Sequence, residues 1–383
     1  MRSICAIEGV EAAGMKEGKY GLAVIRASGT AAATFTSNLV SAAPVNLMRE
    51  RIAAGRLEAI VVNSGCANAY TGKKGYEDAV EMSRIAAGAL GIEADRIGIA
   101  STGVIGRYLD LDRIGRQCKE VVPLLEHSAA AETAAARAIM TTDLVEKHAL
   151  IEADGFTVGG ICKGSGMIAP NMGTMIGVIY TDAEVGAAEL QASLRLAVRR
   201  SFNRVVVDGD ESTNDCAFCT ATGAAGRVPQ AEFDAALQAC CASLAQQIAA
   251  DGEGATKLLE VRVSGASDEE AAEAVARTIV GSPLVKTAIY GEDPNWGRVI
   301  AAAGRAGVRF DPDAVSLTIG EGEAETPLVR DGVIVSDLVR AKAAMHGRKV
   351  VFTLAIGEGE GSAAAWGCDL TEKYVEINGK YTT

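Results

Sequence analysis

Thr174 is the residue best placed for nucleophilic chemistry in this 383-residue chain. It stands where the loop Lys163-Gly164-Ser165-Gly166-Met167-Ile168-Ala169-Pro170-Asn171-Met172-Gly173 meets an apolar run over 175–180, which reads as a buried strand. Gly173 has no side chain to block attack on its carbonyl, so the Thr174 hydroxyl can cut the Gly173-Thr174 bond by an N-to-O acyl shift. The new amino-terminal threonine then carries both a nucleophile and a base. Its hydroxyl attacks an acyl donor while its own α-amine, with a reference pKa of about 8, takes the proton without a histidine. A threonine at a loop-to-strand junction is otherwise a β-former or a turn residue, and position alone leaves both readings open.

A tetrahedral acyl intermediate needs preorganised donors for its oxyanion. Ser101-Thr102-Gly103-Val104-Ile105-Gly106 follows a strand-like run over 97–100, and its glycines would let backbone N–H groups converge on a small anion. On residue types alone it is a turn at a strand end. Lys163 can neutralise a substrate carboxylate or serve as a solvated surface charge. Gly164-Ser165-Gly166-Met167-Ile168-Ala169 fits a dinucleotide-binding glycine fingerprint, but only four residues, Pro170 to Gly173, separate it from the nucleophile and its strand. A Rossmann unit needs a helix of about three turns there, and Pro170, Asn171 and Gly173 oppose one. Cys216 and Cys219 form a single C-x-x-C with no second pair for zinc, and His127, His148 and His346 are dispersed, so no metal site is expected.

The elements that must position these groups alternate between strand-like and helical. A strand is predicted over 57–63, then an amphipathic stretch carrying Met82, Ile85, Ala86 and Ala89, then the strand over 97–100. Beyond Thr174 come the strand over 175–180, a helical region over 183–200, an apolar run over 205–207 and a polar, candidate functional loop over 208–214. Ser267 and Glu270 read as a capping box before a helical face of Ala271, Ala274, Val275, Thr278 and Ile279. This alternation means α/β layers. No low-complexity linker divides the chain, so one body is expected, its only natural boundary the proposed cut.

A net charge of −12 argues against nucleic acid and anionic membrane partners and favours a small-molecule substrate. Nine cysteines without a spacing framework, and a start that lacks a signal-peptide core, point to a reducing cytoplasm. No apolar stretch approaches a membrane span.

The segment ending at Thr174 resembles the self-cleavage site of the ornithine acetyltransferase (glutamate N-acetyltransferase) family, K-G-[SA]-G-M-[IL]-x-P-x-x-A-T-M. It departs once, with Gly173 for the usual alanine. That change removes a methyl group beside the scissile carbonyl and bears on the rate of cleavage without abolishing the chemistry. Ser101 to Gly106 resembles the family's S-T-G-x-I-G, Asn63 to Asn68 its N-S-G-x-A-N, and Asp293 to Arg298 its D-P-N-W-G-R. From chemistry alone the last two are Gly-rich turns, with Trp296 a packing anchor. The resemblance runs from Cys5 to Thr383, essentially the whole chain.

This resemblance implies an α/β fold of layered sheets between helices, related to the self-cleaving aminopeptidases, rather than a parallel doubly wound sheet. It implies cleavage into fragments 1–173 and 174–383 that stay associated as an α2β2 heterotetramer. Thr102 and Gly103 would form the oxyanion hole. Lys163, Thr141 or Thr142, Glu253, Asn378 and Thr383 would contact substrate beside Thr174, with the tail folding back over the pocket to place Thr383. The lysine, hydroxyl and amide groups suit an α-carboxylate, and Glu253 suits an ammonium. The implied reaction passes acetyl from N2-acetylornithine through Thr174 to glutamate in cyclic arginine biosynthesis, without a cofactor. Some members also accept acetyl-CoA, and no residue discriminates them. A self-cleaving amidohydrolase or aminopeptidase of the same architecture, passing its acyl group to water, is the alternative enzyme class, and a non-catalytic binding protein on the same scaffold is the third.

Overall fold

The computed structural model describes residues 2–169 and 175–380. Gly173, Thr174 and Thr383 lie outside the described residues. In chain order the strands are β1 (Glu11–Glu17), β2 (Tyr20–Phe35), β3 (Arg56–Cys66), β4 (Ile97–Val104), β5 (Lys147–Ala153), β6 (Phe156–Lys163), β7 (Ile176–Glu184), β8 (Val205–Val206), β9 (Cys216–Arg227) and β10 (Leu258–Gly265). They are followed by β11 (Ser316–Ile319), β12 (Thr326–Arg330), β13 (Val333–Ile334), β14 (Lys349–Ala355) and β15 (Gly359–Cys368). Helices alternate with them, so the chain has the expected α/β class.

The chain divides into two compact units, one holding Met1–Asn203 with Asp210–Leu244 and the other Arg204–Gly209 with Ala245–Thr382. This corrects the expectation of one body bounded only at the proposed cut. The cut falls inside the first unit, in the connection from β6 to β7. Separate hydrophobic clusters in the two units, rather than a linker composition visible in the sequence, make the division.

The first unit is built on a mixed sheet in the order β4-β3-β2-β9-β7-β6-β5, with β1 paired to β2. β3 and β4 run parallel, as do β7 and β9, while β2–β3, β2–β9, β5–β6 and β6–β7 are antiparallel. It is not a parallel doubly wound sheet. The helix Ala129–Ile139 packs on β1 and β2, and Ala187–Arg199 packs on β2 and β9. Ala131, Ala135, Ala136 and Ala138 are buried on the first of these, and their small side chains allow close approach to the sheet.

Residues from both sides of the proposed cut interleave in this sheet. Lys163 of β6 pairs with Ile176 of β7, and Phe35 of β2 pairs with Cys216 of β9. Ile161, Val178, Tyr180 and Phe218 share one core cluster with Val24, Ile25 and Val61. A broken peptide at 173–174 would therefore leave two pieces held by continuous β-ladders and a common core.

The second unit carries a seven-stranded sheet, β13-β12-β11-β14-β10-β15-β8, with the helix Glu269–Val280 packed on β10 and β15. That helix begins one residue later than a Ser267 cap would place it. Asp268 is the N-cap and accepts from the Ala271 amide at 2.8 Å, while the Ser267 hydroxyl donates to Asp268. The buried face turns accordingly to Ala272, Val275, Ala276, Ile279 and Val280.

Other boundaries also shift. The strand expected over 175–180 runs to Glu184, so the following helix starts at Ala187 after Gly186 rather than at 183. The strand expected over 57–63 extends through Cys66, taking in half of a segment read as a turn. Trp296 opens the helix Trp296–Gly304 behind the N-cap Asn295 and packs against the second unit's core, as its anchor reading required. No helix among the described residues is long and apolar enough to cross a membrane.

Candidate active site

The carboxyl ends of β3 and β4 lie side by side in register, with Asn63 opposite Ser101, Ser64 opposite Thr102 and Gly65 opposite Gly103. The Ser101-Thr102-Gly103 segment is thus part of a strand, and its position is fixed by the sheet rather than by a turn. The Ser101 hydroxyl donates to Asn63 Oδ1 at 2.5 Å, and Asn63 Nδ2 donates to the Cys66 carbonyl at 3.0 Å. Gly103 sits at φ +128°, and a Cβ there would meet the Gly65 carbonyl carbon at 2.4 Å. Only glycine fits both that conformation and that approach.

Asn214 locks this array from the loop before β9. Its side-chain amide donates to the Ser101 carbonyl at 2.8 Å and the Ala67 carbonyl at 2.6 Å. The residue preceding Thr102 is thereby held on its side chain and its backbone, which fixes the strand end that carries Thr102 and Gly103. Residue types alone read Asn63 as part of a turn and Asn214 only as a member of a polar loop. Their signal was faint: amides flanking apolar runs, where buried backbone carbonyls need donors.

Lys163, at the end of β6, reaches the Thr102 hydroxyl at 3.5 Å and is only 1% exposed, so it is not a solvated surface charge. Asp143 faces it and forms an ion pair with Lys147 at 2.8 Å in which neither side chain is exposed. Burial alone would raise the Asp143 carboxyl, but the Lys163 and Lys147 ammonium groups and the Thr141 N–H hold it far below the usual carboxylate range. Asp143 Oδ1 also accepts from the Gly164 amide at 2.6 Å and Oδ2 from the Thr141 amide at 3.0 Å. One carboxylate thus stitches the Thr141 loop to the segment after Lys163. Two buried ammonium groups share it, which favours an anionic ligand. Thr141 and Thr142 are both half-buried in this loop, and Thr141 is the one tied to Asp143.

The first described residue after the proposed nucleophile is held equally firmly. The Met175 amide donates to Asp215 Oδ1 at 2.9 Å, and the Met175 carbonyl accepts from the Cys216 amide at 3.2 Å. Nearby thiols do not compete as nucleophiles: burial raises both Cys66 and Cys216, and all nine cysteines are buried and free.

Glu253 and Asn378 belong to the second unit, where Asn378 Nδ2 donates to Glu253 Oε2 at 2.8 Å. Asn378 lies on the helix Glu372–Lys380, whose start is tied to the Glu253 loop by the Thr371 hydroxyl donating to the Gly254 carbonyl at 2.7 Å. Gly254, at φ +74°, lets that helix approach: a Cβ would meet the Tyr374 nitrogen at 2.6 Å. The tail through Lys380 is therefore ordered helix. Among the expected site residues, the first unit gathers Thr102, Gly103, Lys163 and the Thr141 loop, and the second pairs Glu253 with Asn378.

Comparison with known proteins places this arrangement in a family. The model of the ArgJ family matches residues 7–383. A glutamate N-acetyltransferase of Methanosarcina mazei is 51% identical over 99% of this chain and 98% of its own length. The arginine biosynthesis bifunctional protein ArgJ of Archaeoglobus fulgidus is 46% identical over 99% of this chain and all of its own. A crystal structure of the Bacillus halodurans bifunctional protein argJ matches with a TM-score of 0.50 and 41% identity, over 52% of this chain and 96% of that one. The chain belongs to the ArgJ family.

Proposed function

We propose that this protein is a glutamate N-acetyltransferase that moves acetyl from N2-acetylornithine to glutamate in arginine biosynthesis, through an acetyl ester on Thr174. The observation that carries the reading is the placement of Lys163 against Thr102, with Lys163 itself paired to Ile176, the first residue of β7 and one beyond Met175. A nucleophile at Thr174 would have an oxyanion site at Thr102 and Gly103, and a cationic pocket at Lys163 for a substrate carboxylate. Thr141, tied to Asp143, is favoured over Thr142 as the neighbouring hydroxyl contact. Glu253 and Asn378 supply the acceptor for an amino group, and Thr383 completes the substrate contacts.

Self-cleavage before Thr174 would generate the nucleophile, leaving fragments 1–173 and 174–383 associated as α2β2. The continuous β6–β7 and β2–β9 ladders support that association. The Bacillus halodurans chain is matched over 96% of its length by 52% of this one, as a half-length product of such a cut would be. We place the reaction in the cytoplasm.

Product analysis with and without glutamate tests the assignment. With both substrates, ornithine and N-acetylglutamate should appear in equal amounts. Thr102→Ala should lower kcat by roughly 10- to 1000-fold with KM little changed. Free acetate as the main product would instead favour the hydrolase, and a rise confined to KM would move Thr102 from the oxyanion site to the substrate pocket.

A further inference from the structure

A cleft of about 440 Å³ lies at the end of β2 and shares no residue with the candidate active site. Its size is that of a small-molecule site. β3 pairs with β2 only as far as Thr30, opposite Arg56, so the backbone of Ala33 lacks a strand on that side. The Gln191 amide fills the place, accepting from the Ala33 N–H at 3.3 Å and donating to the Ala33 carbonyl at 3.1 Å. Gln191, Arg195 and Arg199 follow one another at four-residue spacing on the helix Ala187–Arg199, so this anchor sets an arginine stripe over the strand end. Arg49, from the helix Ala43–Arg51, joins them in the lining, its guanidinium donating to the Thr36 carbonyl and, at 3.4 Å, to the Ser41 hydroxyl.

No acidic residue lines this cleft, in a chain whose net charge is −12. Arg195 is exposed and makes no hydrogen bond or ion pair among the described residues. Like charges four residues apart weaken a helix, and the helix dipole accounts for Arg199 in the last turn but not for Arg195 before it or Arg49 on another helix. A bound anion accounts for all three. Ala33, Phe35 and Val198 give the same cleft an apolar wall, with Phe35 held edge-on against Phe218 at 6.1 Å between ring centroids. The Thr34 hydroxyl and Asn203 Oδ1, in residues of the same lining, are buried without a partner among the described residues.

We propose that this cleft binds a phosphorylated small molecule of the nucleotide class. Its phosphate oxygens accept from Arg49, Arg195 and Arg199, since guanidinium forks match phosphate geometry and three cationic centres suit two or more negative charges better than one carboxylate. Its organic body lies against Ala33, Phe35 and Val198, a wall that inorganic phosphate would leave bare. The sheet brings the cleft close to the start of β7: Phe35 pairs with Cys216, and the Cys216 amide donates to the Met175 carbonyl at 3.2 Å. None of the residues assigned to acetyl transfer takes part, so the site stands or falls independently of Thr174.

Calorimetric titration of the full chain with ADP, pyrophosphate and adenosine at low ionic strength tests the site. ADP should bind once per chain, at least about 10-fold more tightly than pyrophosphate, with adenosine undetectable up to about 1 mM, and added salt should weaken it. Arg195→Gln should weaken ADP by about 10-fold and Arg195→Glu by at least about 100-fold, because the first removes a charge-assisted contact and the second adds repulsion. Acetyl transfer and the thermal transition should stay at the level of the unsubstituted protein in both variants, since Arg195 is exposed. If Arg195→Glu unfolds, Arg195→Gln decides. No ADP binding up to about 1 mM, or ADP binding that the Arg195 substitutions leave intact, would overturn the proposal. Adenosine binding as tightly as ADP would contradict the phosphate contact, and pyrophosphate binding as tightly as ADP would contradict a nucleotide-class ligand.

Discussion

Thr174→Ala should purify as a single 383-residue chain with no acetyl transfer, whereas the unsubstituted protein should run as pieces of 173 and 210 residues, the larger beginning Thr174-Met175-Ile176. Both losses follow from one missing oxygen: without it there is no atom to attack the Gly173 carbonyl, and no nucleophile for the acyl donor. Loss of a covalent nucleophile removes several powers of ten in rate, a larger effect than removal of any orienting group. Thr174→Ser keeps the hydroxyl and should cleave at least in part. Because the pieces interleave through β6–β7 and β2–β9, they should separate only under denaturing conditions. Efficient turnover by Thr174→Ala, or full activity from an intact unsubstituted chain, would defeat the assignment.

Asp143→Ala should be the most destabilising single change near the site. It removes the carboxylate facing two buried ammonium groups, Lys147 and Lys163, together with the acceptor for the Thr141 and Gly164 amides. Breaking a buried pair from one side costs about 3–5 kcal/mol, because the remaining charge stays buried. A chemical denaturation midpoint reads this directly, and a loss below about 1 kcal/mol would mean that water reaches the lysines.

The same carboxylate sets a pH dependence. Its folded pKa lies well below the unfolded value of about 3.9. Its contribution to stability is therefore complete above the unfolded pKa and is lost as pH falls through the folded one. Acid titration of the unsubstituted protein should show stability falling below about pH 4, with a shallower slope in Asp143→Asn.

The candidate site was proposed from contiguous motifs. Thr102, Gly103 and Lys163 could be given a chemical role from their segments, whereas Glu253 and Asn378 were singled out by the family resemblance alone. The groups that hold them were not legible. Asn63, Asp143, Asn214 and Asp215 act across distances of 21 to 147 residues, on partners that only the fold brings together. A polar residue in a loop carries no sign of which buried carbonyl or amide it will satisfy.

Fold class followed from alternating apolar runs, yet element ends slipped where local chemistry offered two choices. Ser267 and Asp268 are both good caps, and the accepting geometry selected Asp268. The division into two units was invisible for a related reason. The Arg204–Gly209 segment joins the second unit because Val205 and Val206 pair with Trp366 and Gly367, a register set more than a hundred residues away.

The acetyl-enzyme is the most direct test of the central claim. Mixing the protein with N2-acetylornithine in the absence of glutamate should add about 42 Da to the fragment beginning at Thr174, with the label on that residue, and glutamate should then discharge it as N-acetylglutamate faster than water releases acetate. An unlabelled fragment under conditions where the overall reaction runs, with intersecting rather than parallel initial-rate plots, would contradict a covalent intermediate on Thr174.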